Sequence, residues 1–294
     1  MLLGVIALGI ARWYPQLKTY DSARMLSLVP AEHSTVLYLD ANALRRSGIL
    51  DLIAGSKAVE EPEYRQFIEQ TGFDYRTDMD GIAAAFSPNG AYFAARGRFQ
   101  WKRLAAYARS QGGQCRGEIC MMPGSRPERN ISFYPVQANL LALAIAPQTA
   151  AVMQIGPGQV QTTASPGAYP VWMSVPPAFF DNPESIPGGM RAFLTPLAQA
   201  SSVTFAAGPK DTGIEVRMEV TCATPQAATE LARQLSDTTG LLKKMLAHEP
   251  PATHAPDLSG VLTAGNFQQR ESRVIGTWPV NRGIMEALAN GQVQ

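Results

Sequence analysis

A chain of 294 residues is long enough for about two domains, and its 46% of hydrophobic residues can bury a core, which excludes wholesale disorder. Its 25 basic and 24 acidic residues nearly cancel, so we expect no large basic field. Nucleic acid is therefore not expected as a partner, because phosphate binding depends on clustered Lys and Arg.

The chain begins with an apolar run, Met1 to Ala11, that contains no charged residue. The run is too short to cross a bilayer, which needs about 20 apolar residues in a helix, but it is typical of a signal peptide core or of half a signal anchor. Trp13 and Tyr14 suit the boundary between water and lipid. No positive residue precedes the run, so we expect that the true start lies upstream or that a longer anchor is truncated. The alternative is a buried N-terminal strand or helix of a cytosolic protein.

The folded part is expected to start after residues 1–28, which we assign to the apolar signal or anchor segment and a polar, helical stalk. A first α+β unit then covers residues 29–155. It opens with an apolar strand at 36–40 and a helical pattern up to Ile53. A second helix follows and ends before Gly72, which lacks a Cβ and can adopt the left-handed cap.

A β-hairpin is the clearest local prediction in the first unit. Strand-like runs at 82–86 and 92–99 flank the turn from Ser87 to Gly90, and Asn-Gly between two such runs is a strong hairpin signal. The remaining elements of this unit are a helix and two strands, expected over 101–111, 131–136 and 140–146.

The three cysteines are Cys115, Cys120 and Cys222. Four residues, Gly117 among them, separate the first two, so a tight hairpin can bring the two sulfurs within bridging distance. In an oxidising compartment, Cys115 and Cys120 would form a local disulfide. Two unpaired thiols, a zinc half-site or a redox pair are the alternatives, although no second Cys/His pair or two-residue spacing supports the last two. Cys222 falls in a strand-like stretch and is expected to be buried.

A linker is expected over residues 156–170, where Gly, Pro, Ser, Thr and Gln replace all charged residues. A second α+β unit follows over 171–294. Its expected elements are a strand, a helix, a hairpin and a long helix that begins at a proline. They cover 171–175, 189–200, the strand pair 203–207 and 214–222, and the segment after Pro225.

The two units share features that predict an internal duplication. Each contains a hairpin whose turn holds Pro and Gly, followed by an Ala-rich helix. Near the end of each unit, a strand runs into a proline that precedes a methionine by six residues, and these pairs are Pro147 with Met153 and Pro279 with Met285. Chance matches in an Ala-rich chain are the alternative. Hairpins that alternate with single helices favour an α+β fold of two similar units of antiparallel sheet with helices packed on one face.

Two clusters of metal-ligand residue types do not fit a metal-binding motif. The segment with Asp74, Asp78 and Asp80 lacks carboxylates at the first and twelfth positions of a calcium loop, so we interpret it as a polar turn. His248 and His254 are six residues apart with two prolines between them, whereas a helical zinc motif needs a spacing of four. A site that also includes His33 is the alternative.

Other catalytic motifs are also missing. The Gly-Pro-Gly at 156–158 lacks the lysine of a phosphate loop, and no serine occurs in a Gly-x-Ser-x-Gly elbow. We therefore predict no catalytic, cofactor-binding or metal site. Trp101, Trp172 and Trp278 are expected to anchor the core or a sheet face.

The overall layout resembles uncharacterised bacterial cell-envelope proteins with an N-terminal anchor and two related α+β halves. The residues that carry the resemblance are the apolar start with Arg12 to Tyr14, the strand and helix over 36–53, and Gly72 to Asp74. The resemblance implies export and a role that is not enzymatic.

The leading hypothesis is a non-catalytic binding or scaffolding module of the cell envelope. It would be anchored in the inner membrane or secreted, with its soluble part outside the cytoplasm, in contact with the membrane through its N-terminal segment and with a protein partner or an apolar ligand. One alternative is an envelope hydrolase with its site between the two units, and another is a carrier of an apolar ligand. Converging polar groups, a flat exposed sheet and an apolar cavity would respectively indicate the enzyme, the scaffold and the carrier.

Overall fold

The computed structural model describes residues 21–50, 62–126, 128–156, 166–181, 191–211, 213–248, 258–281 and 283–284. The apolar N-terminal run and most of the expected linker lie outside these residues. None of the described helices combines the length and the apolar character that a membrane span requires.

The described residues form an α+β fold of strands β1 to β12 and helices α1 to α8. The strands are β1 Thr35–Leu39, β2 Met79–Ser87, β3 Gly90–Gly97, β4 Gln114–Arg116, β5 Ile119–Pro123, β6 Asn130–Gln137, β7 Leu140–Ala146, β8 Val171–Val175, β9 Ser202–Lys210, β10 Gly213–Thr221, β11 Asn266–Arg270 and β12 Arg273–Val280. The α-helices are α1 Ser22–Leu26, α2 Ala41–Arg46, α3 Pro62–Thr71, α4 Tyr75–Asp78, α5 Trp101–Ser110, α6 Arg191–Leu194, α7 Pro225–His248 and α8 Leu258–Thr263. Short 3₁₀ helices cover Ala151–Gln154, Pro177–Asp181 and Thr195–Gln199.

All twelve described strands belong to one antiparallel sheet in the order β11-β12-β10-β9-β8-β1-β2-β3-β7-β6-β5-β4. The antiparallel α+β class is thus confirmed, and both predicted hairpins are present as β2–β3 and β9–β10. The two expected units are joined into one sheet because β1 pairs directly with β8, so that Tyr38 lies opposite Trp172. We call this pairing the seam.

Going outward from the seam, the two halves repeat one order of strands. The first half places β1, β2, β3 and then β7 and β6, and the second places β8, β9, β10 and then β12 and β11. In both halves a helix follows the third strand, α5 in the first and α7 in the second. This order agrees with the duplication, which stays a prediction. Of the two Pro–Met pairs, Pro279 lies within β12 whereas Pro147 follows β7, and Met285 is outside the described residues.

The two faces of the sheet differ, and strand register defines them. One face carries Phe93, Leu143, Phe205 and Met218, and we call it the helix face because α3 and α5 cover it in the first half and α6, α7 and α8 cover it in the second. We call the other side, on which Tyr38 lies, the opposite face.

Among the described residues, helices cover the opposite face in the first half only. There Met25, Leu26, Leu28 and Val29 pack on the sheet, together with the 3₁₀ helix Ala151–Gln154. Helices therefore lie on both faces of the first half, whereas we expected them on one. Residues 21–28 also differ from the expected stalk, because these apolar side chains are almost fully buried in the core.

The expected helix over 189–200 differs from the structure in its second part. Among the described residues it consists of α6 followed by the 3₁₀ helix Thr195–Gln199. Pro196 lies at the start of that 3₁₀ helix and has no backbone N–H, so an α-helix cannot continue through it without losing a hydrogen bond.

Candidate ligand-binding cavities

A cavity of about 290 Å³ lies on the helix face of the first half, between the sheet and helices α3 and α5. We call it the first cavity. All fifteen residues that line it are apolar or aromatic; Phe67 comes from α3, Leu104 and Tyr107 come from α5, and Phe93 and Leu143 come from the sheet. The lining thus offers an almost purely hydrocarbon environment.

Strand β7 shows how the sequence produces this cavity. Its residues alternate between full burial and partial burial, although the whole strand is apolar. The small residues Ala142 and Ala144 are buried on the opposite face, whereas Leu141, Leu143 and Ile145 point to the helix face and line the cavity. Helices α3 and α5 have only ten residues each and leave part of this apolar surface uncovered.

Aromatic pairs build the wall of the first cavity. Phe67 of α3 meets Tyr107 of α5 edge to face, with 5.3 Å between the ring centroids, and Phe73 stacks on Phe99 at 5.1 Å. Such pairs contribute about 0.5–1.5 kcal/mol beyond the area they bury. They hold the two helices together above the sheet.

Asp74 holds the first turn of α3, which carries Tyr64, next to this wall. Its side chain caps α4 by accepting the backbone N–H of Arg76 at 2.9 Å, pairs with the Arg76 guanidinium at 2.8 Å, and accepts the Tyr64 hydroxyl of α3 at 3.0 Å. Burial raises the pKa of Asp74, but the hydrogen bonds from Arg76 and Tyr64 outweigh burial and leave the pKa below its ordinary value. Desolvation and the hydrogen bond to Asp74 raise the pKa of Tyr64.

The other carboxylates of the calcium-like segment also have partners within the protein. Asp78 accepts the backbone N–H of Asp74 at 2.9 Å and pairs with Arg98, and Asp80 accepts the side-chain amide of Asn42 at 3.0 Å. These contacts agree with the interpretation of a polar turn. Among the described residues, no group of three or more His, Cys, Asp and Glu side chains is placed to hold a metal ion.

The described residues do not bring the three histidines together into one cluster. The side chain of His33 is 91% exposed in a turn. His248 is the last residue of α7, and His254 lies outside the described residues.

A second cavity of about 230 Å³ lies on the helix face of the second half, beneath α6, α7 and α8. We call it the second cavity. Its nine lining residues are again apolar or aromatic, and they include Phe205 and Met218 from the sheet, Leu235 from α7 and Trp278 from β12. Each half of the sheet therefore has an apolar cavity under the helix that follows its third strand.

A polar groove of about 420 Å³ lies on the opposite face of the second half, beside residues 166–169. Ser202, Thr204 and Thr221 line it with hydroxyl groups, and Arg217 and Glu219 line it with charges. The Glu219 carboxylate is held by Arg217 at 3.4 Å and by Arg273 at 3.0 Å. No His or Cys is among the described residues that line the groove, and the carboxylate of Glu219, the residue type there that could act as a base, is paired with the two arginines.

Cys115 and Cys120 form a disulfide, with an S–S distance of 2.02 Å. They are cross-strand partners in the β4–β5 hairpin, whose turn includes Gly117 at φ 58°. Cys120 is buried against Leu104 of α5, so the bridge fastens the edge of the sheet next to that helix. Cys222 is a free, buried cysteine directly after β10, and burial raises the pKa of its thiol.

The expected tryptophan roles agree with their burial. Trp172 and Trp278 are 4% and 9% exposed, and Trp101 donates its indole N–H to the carbonyl of Ala138 at 3.0 Å. Sequence reasoning missed the lining residues of both cavities. The available signal was the run of apolar residues in β7, which has no polar alternation and so indicates a strand covered on both faces.

Neither a protein-family model nor a curated protein sequence matches the chain. Solved structures that resemble it include crystal forms I, IV and III of TP0453, with TM-scores of 0.49, 0.49 and 0.47 and sequence identities of 12%, 13% and 12%. The matches cover 92%, 92% and 90% of this chain and 96% of the TP0453 chain in each case.

Proposed function

We propose that the protein is a non-catalytic binding protein of the bacterial cell envelope whose ligand is apolar. The observation that carries this proposal is the first cavity, in which apolar and aromatic side chains from two helices and five strands surround about 290 Å³. Its volume is close to the lower end of the roughly 300–1,000 Å³ range of small-molecule sites.

The lining of the first cavity selects the ligand by its polarity. Hydrocarbon that enters gains about 25 cal/mol for each Å² that leaves water. A polar group would lose its hydrogen bonds to water without a partner, at a cost of about 2–7 kcal/mol. The ligand that fits is therefore a hydrocarbon chain or ring, or the apolar part of a larger molecule.

The test is the binding of the neutral dye N-phenyl-1-naphthylamine, whose fluorescence rises in apolar surroundings. We expect saturable binding to the wild-type protein. The variant Leu143→Phe adds volume to the cavity lining and should weaken dye binding about tenfold or more, because core sites resist extra atoms at a cost of about 1–3 kcal/mol. Circular dichroism and the midpoint of urea unfolding show whether the variant is folded.

Leu241→Phe is the matched control, since it makes the same change at a side chain of α7 that is 61% exposed. Its dye affinity should equal that of the wild type. A wild-type protein without saturable binding, or equal affinities for a folded Leu143→Phe and Leu241→Phe, would contradict the proposal.

Two of the alternatives have less support. A hydrolase would need a nucleophile and a base together, and the described lining of the polar groove lacks His and Cys, while its Glu219 carboxylate is paired with Arg217 and Arg273. A protein-binding scaffold has one observation in its favour, the polar face of β9 and β10 that no described helix covers, where the side chains of Arg217 and Glu219 are 35% and 31% exposed. The apolar cavities have no role in that alternative.

The proposal includes export and a tether formed by the N-terminal segment, motivated by the apolar run from Met1 to Ala11. Export can be tested with alkaline phosphatase, a reporter that is active only outside the cytoplasm. We expect a fusion of this reporter after Leu28 to be active. The same fusion without residues 2–11 is the control and should be inactive. If the fusion that retains residues 2–11 were inactive, the prediction of export would be wrong.

A further inference from the structure

A groove of about 510 Å³ lies beside α5 at the outer edge of the first half, and we call it the edge groove. Its volume is within the roughly 300–1,000 Å³ range of small-molecule sites. Trp101, Lys102 and Arg109 of α5 line it, whereas Leu104 and Tyr107 of the same helix line the first cavity. The edge groove and the first cavity therefore lie on different sides of α5.

A β-bulge in β6 shapes the floor of the edge groove. The register between β6 and β7 shifts between Pro135 and Gln137, which adds one residue, Val136, to β6. Successive residues of a regular strand point to opposite faces of the sheet, yet Pro135, Val136 and Gln137 all line the groove. Bulges redirect side chains in this way, and they are frequent next to functional sites.

The remainder of the floor and one wall are apolar and held in place. Phe133 and Cys120 are 7% and 4% exposed, and a disulfide joins Cys120 to Cys115, which also lines the groove. The Trp101 indole N–H donates to the carbonyl of Ala138 at 3.0 Å, which ties α5 to the turn after β6. A groove that is already formed costs little ordering free energy when a ligand enters.

Two cations stand on the α5 side of this floor. Lys102 and Arg109 are exposed and seven residues apart in sequence, so they project from the same side of the helix, about 10 Å apart along its axis. Among the described residues, neither side chain has an ion-pair partner. Glu118, in the β4–β5 turn, also lines the groove, which leaves one positive charge in excess. An anion beside the two cations keeps part of its hydration, because these cations are exposed, while an apolar body attached to it covers the floor.

We propose that the edge groove binds an organic anion with an apolar body, such as a fatty or aromatic carboxylate, whose charged group pairs with Lys102 and Arg109. The apolar body leaves water where it covers Phe133 and the disulfide, which favours binding. The first cavity cannot enclose the charged group, because its apolar lining offers an anion neither water nor a cation. The edge groove is a separate site, so the inference does not depend on the ligand proposed for the first cavity.

The test compares two dyes that differ by one sulfonate group, the neutral N-phenyl-1-naphthylamine and the anionic 8-anilinonaphthalene-1-sulfonate. We expect the anionic dye to bind saturably, with an affinity that falls as salt is added. The double variant Lys102→Gln/Arg109→Gln should weaken binding of the anionic dye about three- to tenfold, the effect of two exposed ion pairs, and leave binding of the neutral dye unchanged. Glu118→Gln should strengthen binding of the anionic dye about twofold, because it removes the negative charge from the groove.

The matched control is the double variant Arg65→Gln/Lys243→Gln, which removes two positive charges at exposed residues of α3 and α7 that do not line the groove. Its affinity for the anionic dye should equal that of the wild type. An equal loss in both double variants would mean that net charge alone attracts the dye, and an anionic dye that Leu143→Phe weakens as much as the neutral dye would lie in the first cavity. Either result would overturn the inference. Failure of the neutral dye to bind contradicts only the proposed function, so each proposal can fail while the other stands.

Discussion

Asp74 joins two helices through a single carboxylate. The side chain is 16% exposed and accepts hydrogen bonds from Arg76 of α4 and Tyr64 of α3. These partners favour the charged form, which is why the pKa of Asp74 lies below its ordinary value of 3.8 despite burial. The charge therefore stabilises the wall of the first cavity and not only the local turn.

We predict that Asp74→Asn lowers the free energy of unfolding by about 1 kcal/mol at pH 7. Asn still caps a helix, so the loss reflects the charged hydrogen bonds, reduced by the solvent exposure of Arg76. Because the folded pKa is lowered, the contribution of the charge is complete above 3.8 and is lost as the pH falls through the lower folded value. Urea unfolding at neutral and acidic pH measures both effects.

The control for Asp74→Asn is the same substitution at Asp237, whose side chain is 64% exposed on α7. It should change the free energy of unfolding by less than about 0.5 kcal/mol. If the difference between the wild type and Asp74→Asn were the same at pH 7 and below the folded pKa, the charge would not be its source.

At the scale of elements, local patterns predicted most strands and helices. A short signal was sufficient in two cases. The turn from Ser87 to Gly90 predicts the hairpin β2–β3, and the proline at the start of α7 predicts where that helix begins. The helix expected over 189–200 was partly wrong because Pro196 converts its second part into a 3₁₀ helix.

The cavities and the seam could not be predicted in this way. The pairing of Tyr38 with Trp172 joins strands that are far apart in the chain, and neither strand carries a signal that names its neighbour. The first cavity depends on how much of β7 the helices α3 and α5 leave uncovered. That is a matter of helix length and position in space, which periodicity does not report.

At the scale of the molecule, the seam makes the two halves depend on each other. Trp172 belongs to β8 of the second half, yet it is buried in the core of the first half with Tyr38 and Ala94. Ala206 of β9 packs against the same core. Backbone hydrogen bonds of β1 and β8 continue the sheet through this region, so neither half ends in a free edge there.

We predict that both halves unfold in one transition. Two variants that each retain a single tryptophan, Trp101 in the first half or Trp278 in the second, should show the same urea midpoint by fluorescence, since coincident probes indicate two-state unfolding. In both variants Trp172 is replaced by Phe. Replacing it by Ala should lower both midpoints together, because truncating a buried aromatic residue costs about 3–5 kcal/mol.

Met153→Ala supplies the control for the seam substitution, since Met153 is 65% exposed and lies on the 3₁₀ helix Ala151–Gln154, away from the seam. It should leave both midpoints unchanged. Separate midpoints for Trp101 and Trp278, or a Trp172→Ala variant in which only the Trp278 transition moves, would mean that the halves are independent domains. A common shift instead means that a ligand held in either cavity stabilises the whole sheet, because binding to the folded state alone raises the free energy of unfolding of the entire cooperative unit.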